Sequence, residues 1–263
     1  VAASNLKEHD KALLKSICTR SLAGNVIVKT TETISKKTTL CIVPVETNSG
    51  DSNIRACMRT LKVMKSALVG IPIVSTDWLR SCENGKRVLQ PRNYVRSLPT
   101  KEMEIENSGD LDYSVAKLAA SWYTQSKAPV LPFQTIHVYL CGRYSPDKRK
   151  NIQDLLKTGG AKIISKAQEV SSRLKSMVTS NKSSSIASSC RIVILCGDSG
   201  GPLPSSLQRD LKAVLDGEQH RPSPKAVTVV DSQWVIESVA CAKPMPSKFF
   251  EPAFNKDLWK LSI

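Results

Sequence analysis

The chain has 263 residues, of which 41% are hydrophobic, so it is long enough and apolar enough for one large domain or two of ordinary size. Its formal net charge of +15 favours partners with negative charge: nucleic acid, an acidic membrane face, or a phosphorylated or acidic peptide. No apolar run is long enough to span a bilayer, which argues against an integral membrane protein. Residues 1–5 lack the basic and apolar regions of a signal peptide, and we expect them to begin an excised fragment.

The cysteines argue against a metal centre. The chain has eight cysteines and three histidines, and no two cysteines form the C-x-x-C pair that zinc sites commonly use. We therefore predict no metal site and no cofactor. Cys41 and Cys196 fall inside apolar runs, where cysteine acts as a small buried hydrophobe. Free buried thiols indicate a reducing compartment, either the cytosol or the nucleus.

Three landmarks occur twice in the same order, which predicts an internal repeat. The first is a helix that ends at a small-residue turn and leads into a short strand. The second is a buried strand followed by a helix containing Arg-x-Leu-Lys, and the third is a short apolar strand leading into a helix with a tryptophan. The first copy has helix 10–20, Gly24, strand 26–28, strand 40–43, helix 55–69, strand 71–74 and Trp78. The second copy has helix 146–157, Gly160, strand 163–164, strand 191–195, helix 205–216, strand 227–230 and Trp234.

Each unit is therefore predicted as β-α-β-β-α-β-α, with first strands at residues 1–4 and 136–140. Strands that alternate with helices favour an α/β fold with a parallel sheet flanked by helices. The second unit is longer mainly in residues 165–189, which are rich in serine and lysine and which we predict to be a mobile loop. The predicted N-caps of the two tryptophan helices are Ser75 or Thr76 and Asp231 or Ser232.

The domain boundaries are predicted from the repeat. The first repeat covers residues 1–98, a linker covers residues 99–132, and the second repeat with a C-terminal tail covers residues 133–263. In the linker, apolar residues at helical spacing predict a helix over residues 110–125, which Pro129 ends. We expect the tail to lie over the surface of one unit because it is rich in aromatic residues, namely Phe249, Phe250, Phe254 and Trp259.

The duplicated pattern resembles tandem BRCT domains over nearly the whole chain. The first unit is most similar to the mediator-of-DNA-damage-checkpoint and PTIP-like branch of that family, through residues 21–24, 59–62 and 70–73. The resemblance implies two repeats, each a four-stranded parallel sheet flanked by about three helices, joined by a linker helix. It also implies a module that binds phosphoserine or phosphothreonine peptides.

A phosphate pocket in the first repeat follows from this resemblance. Its donors would be the Ser4 hydroxyl, the backbone N–H of Asn5, the Thr60 hydroxyl and the Lys62 ammonium, and the family often has glycine where this chain has Asn5. A phosphate dianion offers three strong acceptor oxygens, which such a donor set satisfies. Thr60 and Lys62 would lie near a helix start, where the helix dipole favours an anion.

Three further residues are predicted to bind the peptide beyond the phosphate. Arg59 lies three residues before Lys62, so both can share one helix face, and its planar guanidinium suits a carbonyl or a terminal carboxylate. By family position, Arg59 recognises the third residue after the phosphate or a free C-terminus, and Met64 and Ile236 line the pocket for that third side chain. The residues alone also allow Arg59 and Lys62 to be solvated helix charges, and Met64 and Ile236 to be plain core.

The second repeat serves as an internal comparison. It has Cys141 in place of Ser4, Asp210 in place of Thr60 and Lys212 in place of Lys62. A thiol is a poor donor, and a carboxylate repels a phosphate. We therefore expect one phosphate site per chain, in the first repeat.

No catalytic residues are predicted. The sequence lacks G-x-S-x-G, a P-loop and H-E-x-x-H. Residues 197–201 match the nucleophile motif of chymotrypsin-like proteases, but that fold is all-β and needs an upstream His-Asp pair, so the helical pattern contradicts the match.

The predicted function is that of a nuclear, monomeric phosphopeptide reader of the DNA-damage response. Its expected ligand is the phosphorylated C-terminal tail of an H2A-type histone, with a possible accessory contact to DNA. Binding would recruit the parent protein to damaged chromatin. Two alternatives stay open: a nucleic-acid-binding module, whose binding would fall steeply with salt, and a phosphate-independent protein-interaction scaffold, which dephosphorylation of the ligand would not affect.

Overall fold

The computed structural model describes residues 1–19, 28–35, 37–44, 59–94, 131–179, 191–197, 205, 207–211, 227–245 and 250. The chain divides into two compact units, one formed mainly by residues 1–130 and the other mainly by residues 131–263. Each unit contains a parallel sheet with helices. The predicted α/β class is confirmed.

The first unit contains a parallel sheet in the order β1-β2-β3. Its elements are β1 (Ala2–Ala3), α1 (Glu8–Thr19), β2 (Cys41–Val43), α2 (Leu61–Val69), β3 (Ile73–Ser75), α3 (Asp77–Gly85) and a 3₁₀ turn (Pro91–Tyr94). Thr31 adds an isolated parallel bridge to Ala2. A further strand was predicted at residues 26–28; Val28 is not in a strand, and residues 26 and 27 lie outside the described residues.

The second unit contains the predicted four-stranded parallel sheet, in the order β5-β4-β6-β7. Its elements are β4 (Ile136–Cys141), α4 (Pro146–Thr158), β5 (Lys162–Ile164), α5 (Ala167–Thr179), β6 (Arg191–Cys196), β7 (Val227–Asp231) and α6 (Gln233–Ala240), and residues 207–211 are also helical. The central strand β6 is almost entirely apolar because both of its faces are buried, as is usual in parallel sheets.

Helix α5 corrects the prediction of a mobile loop over residues 165–189. Val170 and Leu174 lie one helical turn apart, and both are fully buried in a cluster that includes Ile194. This apolar stripe gives the segment the amphipathic pattern of a surface helix. The serine and lysine content that suggested a loop therefore does not decide the conformation. Among its described residues, the second unit has one helix more than the three that were predicted. Residues 180–190 lie outside the described residues.

Each unit is built around the predicted tryptophan. Trp78 is 1% exposed and donates its Nε1–H to the carbonyl of Leu89 at 3.0 Å. Trp234 is fully buried and donates its Nε1–H to the carbonyl of Met245 at 2.9 Å. In both units the acceptor lies 11 residues after the tryptophan. The two units therefore share this hydrogen bond in the core as well as the sequence pattern.

The two tryptophan helices begin differently. Asp231 Oδ1 accepts the N–H of Gln233 at 2.8 Å, so the predicted cap of α6 is confirmed. Thr76 is the N-cap residue of α3, but its side chain makes no capping hydrogen bond. Ser75 instead donates its hydroxyl to the Asp77 carboxylate at 3.3 Å.

One residue of the tail lies against the second unit. Phe250 is 5% exposed, and its carbonyl accepts the N–H of Asp231 at the end of β7, at 2.9 Å. The predicted linker helix at residues 110–125 and the other tail aromatics, Phe249, Phe254 and Trp259, lie outside the described residues. Within the described part of the chain, every helix is too short or too polar to cross a membrane.

Gly159, just after α4, gives a direct test of core packing in the second unit. A Cβ at this position would lie 2.6 Å from Cδ2 of Phe133, whose ring is fully buried and packs against Trp234 with 5.4 Å between centroids. We expect Gly159→Ala to lower the free energy of unfolding by about 1–3 kcal/mol, because the ring must shift to admit the methyl group. Urea denaturation measures the change. Gly85→Ala is the control, since its nearest new contact is an ordinary 3.7 Å, and equal losses in both variants would contradict the packing.

Candidate functional site

Ser4 and Thr60 are 56 positions apart in the sequence, and their hydroxyl oxygens lie 2.6 Å from each other. The pairing of β1 with β2 brings Ser4 to the sheet, where its N–H donates to the carbonyl of Ile42 at 2.9 Å. Thr60 is the N-cap of α2, and its Oγ1 accepts the N–H of Val63 at 3.3 Å. Because the capping bond uses the oxygen as an acceptor, the hydroxyl proton of Thr60 is left for the contact with Ser4 or for a ligand.

Helix α2 begins later than predicted. It starts at Leu61, and Thr60 has an extended backbone with ψ of 159°, as an N-cap requires. Arg59 therefore precedes the helix, and the predicted helix face shared by Arg59 and Lys62 is wrong. Lys62 lies in the first helical turn, where the dipole favours a bound anion. Residues 55–58, predicted as helix, lie outside the described residues.

The ammonium group of Lys62 is held beside the end of β1. Its Nζ donates to the carbonyl of Ala3 at 3.1 Å, one residue before Ser4. Burial raises the pKa of the Cys41 thiol on the neighbouring strand, while the bond with Ser66 and the charge of Lys62 act in the opposite direction. Cys41 therefore stays neutral at neutral pH and does not compete with an anionic ligand for the lysine.

Asn5 follows β1 with a positive φ of 55°. In the second unit Gly142 follows Cys141 with a φ of 79°. The chain thus turns in the same way after the first strand of each unit, and this left-handed conformation is one that asparagine tolerates better than most residues. Asn5 therefore adopts the same left-handed backbone conformation that Gly142 has in the second unit.

Substitutions at Asn5 separate a backbone role from a side-chain role. We expect Asn5→Gly to keep phosphopeptide affinity, because glycine adopts positive φ without strain and retains the N–H. We expect Asn5→Val to weaken binding or stability by about 1–2 kcal/mol, because a β-branched residue is strained at this φ. Titration calorimetry of both variants gives the affinities, and a loss in Asn5→Gly as large as in Asn5→Val would show that the amide side chain matters instead.

A cavity of about 450 Å³ lies next to these residues. Asn5 and Lys62 line it together with a face of α1 that includes Lys11, Lys15 and Thr19. The two α1 lysines are not among the predicted site residues. Their spacing of four positions, continued at Thr19, is the sequence signal for one helix face.

Among the described residues of the second unit, the counterparts of the two hydroxyl donors are Cys141 and Asp210. The strand registers show that Cys141 occupies in the second sheet the position that Ser4 occupies, directly after β1, in the first. The Cys141 thiol lies 3.5 Å from the thiol of Cys196 and not beside a hydroxyl. Asp210 carries a carboxylate that lies 3.6 Å from the ammonium of Lys175. Lys212 lies outside the described residues. The pair of hydroxyls found in the first unit is therefore not repeated at the counterpart positions of the second.

The residues predicted to recognise the peptide beyond the phosphate belong to different units. Arg59 and Met64 lie in the first unit, and Ile236 lies on α6 of the second. Met64 is 4% exposed, whereas Arg59 and Ile236 are half-buried. Their joint role stays a prediction.

Comparison with known proteins shows a family match for part of the chain and a similar fold for most of it. The model of the BRCA1 C Terminus (BRCT) domain family matches residues 11–83. Over 94% of its length the chain resembles the BRCT5–BRCT6 domains of Brc1 from S. pombe, with 13% identity, 97% of that structure covered and a TM-score of 0.55. Residues 11–83 therefore match the BRCT family, and the fold of the chain is similar to that of a tandem BRCT structure.

Two further likenesses accompany this assignment. The chain is 24% identical over 247 residues to BRCA1-associated RING domain protein 1 of Arabidopsis thaliana, which covers 94% of this chain but only 31% of that protein. It also resembles the complex structure of Rtt107p and phosphorylated histone H2A, with 12% identity, 93% of this chain and 87% of that one covered, and a TM-score of 0.45. A score this low does not establish a shared fold, so the histone is a property of that complex alone.

Proposed function

We propose that the chain is a phosphopeptide-binding module whose phosphate pocket is formed by Ser4, Asn5, Thr60 and Lys62. The observation that carries the proposal is the 2.6 Å contact between the Ser4 and Thr60 hydroxyls at the start of α2. The Lys62 ammonium is held beside the end of β1 by its hydrogen bond to the carbonyl of Ala3, the residue before Ser4. Two hydroxyls, a backbone N–H and one cation at a helix N-terminus match the needs of a phosphate dianion.

The proposed ligand is the phosphorylated C-terminal tail of an H2A-type histone. Arg59, directly before Thr60, supplies a guanidinium suited to a free carboxylate. Met64 and Ile236 are proposed to receive the third side chain after the phosphate. In this proposal the module is a nuclear monomer that recruits its parent protein to DNA damage sites. Tandem BRCT domains are typically interaction modules, and we propose no catalytic role for this chain.

Fluorescence anisotropy with a labelled phosphoserine-Gln-Glu peptide that ends in a free carboxylate tests this function. We expect a Kd of about 1 μM, near −8 kcal/mol, that is lost for the unphosphorylated peptide. A further loss on amidation of the C-terminus would assign Arg59 to the carboxylate and support the histone tail. Equal binding of all three peptides would contradict the phosphate pocket and favour the phosphate-independent scaffold.

The net charge of +15 supports a second candidate, direct contact with DNA. Repeating the titrations with a duplex oligonucleotide at rising salt separates the two. Binding through many DNA phosphates falls steeply with salt, whereas binding of one phosphopeptide does not.

A further inference from the structure

We propose that the cavity along α1 binds a second anionic group of the same peptide, a phosphate ester or a carboxylate, two to four residues before the phosphorylated residue. The ligand class would thus be a doubly acidic phosphopeptide rather than any phosphopeptide. This inference rests on the proposed function, because it takes Asn5 and Lys62 as the site of the first phosphate.

The cavity shares two residues with the proposed phosphate pocket. Asn5 and Lys62 line it at one side, and Lys11, Lys15 and Thr19 line it along α1. Helical residues four positions apart are about 6 Å apart along the axis, so this face is about 12 Å long. An extended peptide advances about 3.3 Å per residue, so three to four peptide residues match that length.

The charges of this face favour an anion. Lys15 is exposed and makes no ion pair with any residue that the structure describes. Lys11 pairs with Glu8 at 2.6 Å, but both side chains are more than half exposed, and such surface pairs are weak enough to exchange partners. No carboxylate is among the lining residues that the structure describes.

The remaining walls strengthen the attraction. Leu6 and Leu14 are buried and form an apolar part of the lining, which lowers the local dielectric around the lysines. Burial raises the pKa of the Cys18 thiol in the same wall, so the thiol is neutral at neutral pH and adds no negative charge.

The direction of the peptide follows from the proposed function. In the proposed function, the peptide residues that follow the phosphorylated residue extend toward Arg59, which directly precedes Thr60. The residues before the phosphate are then the ones left to occupy the cavity along α1.

Anisotropy titrations with the whole chain and a matched set of peptides test the inference. The set contains the singly phosphorylated peptide, the same peptide with a second phosphoserine three residues earlier, and one with glutamate at that position. Each is measured on the unaltered chain, on Lys15→Met and on Lys7→Met. Lys7 is an exposed lysine of the same unit that does not line the cavity, so its variant controls for net charge.

We expect the doubly phosphorylated peptide to bind about tenfold tighter than the singly phosphorylated one, as one added charge-assisted hydrogen bond would give. Lys15→Met should remove this gain and Lys7→Met should keep it. A similar gain with glutamate would identify a carboxylate as sufficient, and a gain only with phosphoserine would identify a phosphate ester; either supports the inference.

Four outcomes overturn it. Equal affinity for the singly and doubly phosphorylated peptides, or a gain that survives Lys15→Met, overturns the second anion site alone and leaves the proposed function intact. Failure of the singly phosphorylated peptide to bind overturns both. A duplex oligonucleotide that depends on Lys15 when the peptides do not would assign the cavity to nucleic acid instead.

Discussion

Replacing Trp78 by alanine is expected to lower the free energy of unfolding of the first unit by about 3–5 kcal/mol. The indole is 1% exposed in a cluster with Ile17, Val74 and Leu79, so its removal leaves a large cavity. It also leaves the Leu89 carbonyl without the Nε1–H donor at 3.0 Å. A loss of this size is a large fraction of the stability of a typical domain, about 5–15 kcal/mol.

Urea denaturation followed by far-ultraviolet circular dichroism measures this loss without depending on tryptophan fluorescence. Trp78→Phe is the matched control, because it keeps an aromatic ring while it removes the N–H donor and the smaller ring of the indole. It should cost about 1–3 kcal/mol, the range for leaving a buried acceptor unsatisfied. A change below about 1 kcal/mol in Trp78→Ala would contradict the central position of the indole in this core.

Replacing Lys62 by methionine is expected to weaken phosphopeptide binding by about 1.5–3 kcal/mol, or roughly 10- to 150-fold in Kd. Methionine keeps most of the aliphatic length of the side chain, so the change removes the charge and the hydrogen-bond donor. Because Lys62 lies in the first turn of α2, its loss leaves the hydroxyls of Ser4 and Thr60 without a cation to balance the phosphate.

Lys65→Met is the control for Lys62→Met. Lys65 lies on the same helix and is half-buried like Lys62, so both variants change net charge and helix composition equally. Titration calorimetry should show binding close to that of the unaltered chain for Lys65→Met. If both variants lose affinity equally, Lys62 acts only through the general charge of the first unit and has no special contact with the phosphate.

The repeated core was predictable from the sequence. Trp78 and Trp234 each follow a short apolar strand, and strands of this kind bury both faces in a parallel sheet. The contact between Ser4 and Thr60 depended on the family resemblance, because no local pattern links two residues 56 positions apart. The comparisons confirm a BRCT match over residues 11–83 and a fold similar to that of tandem BRCT domains, while the mediator or PTIP-like branch stays a prediction.

Three other features were not predicted, because the amino-acid composition and periodicity do not determine them. Helix α5 was missed because residues 165–189 are rich in serine and lysine, which hid the two buried apolar residues, Val170 and Leu174, that fix its orientation. Arg59 was placed on a helix because periodicity does not reveal which threonine caps it, and the side-chain bond of Thr60 decides that boundary. The lysines of α1 were not predicted because exposed lysines are usual on the polar face of a surface helix, and the sequence alone does not show that this face lines a cavity.

A thermodynamic cycle between Lys62→Met and the phosphate of the peptide tests the central claim most directly. Kd is measured for the unaltered chain and the variant, each with the phosphorylated and the unphosphorylated peptide, at one salt concentration. If Lys62 contacts the phosphate, the two losses are not additive, and Lys62→Met costs about 1.5–3 kcal/mol with the phosphorylated peptide and almost nothing without the phosphate. An equal cost with both peptides would contradict the claim that Ser4, Asn5, Thr60 and Lys62 form the phosphate pocket.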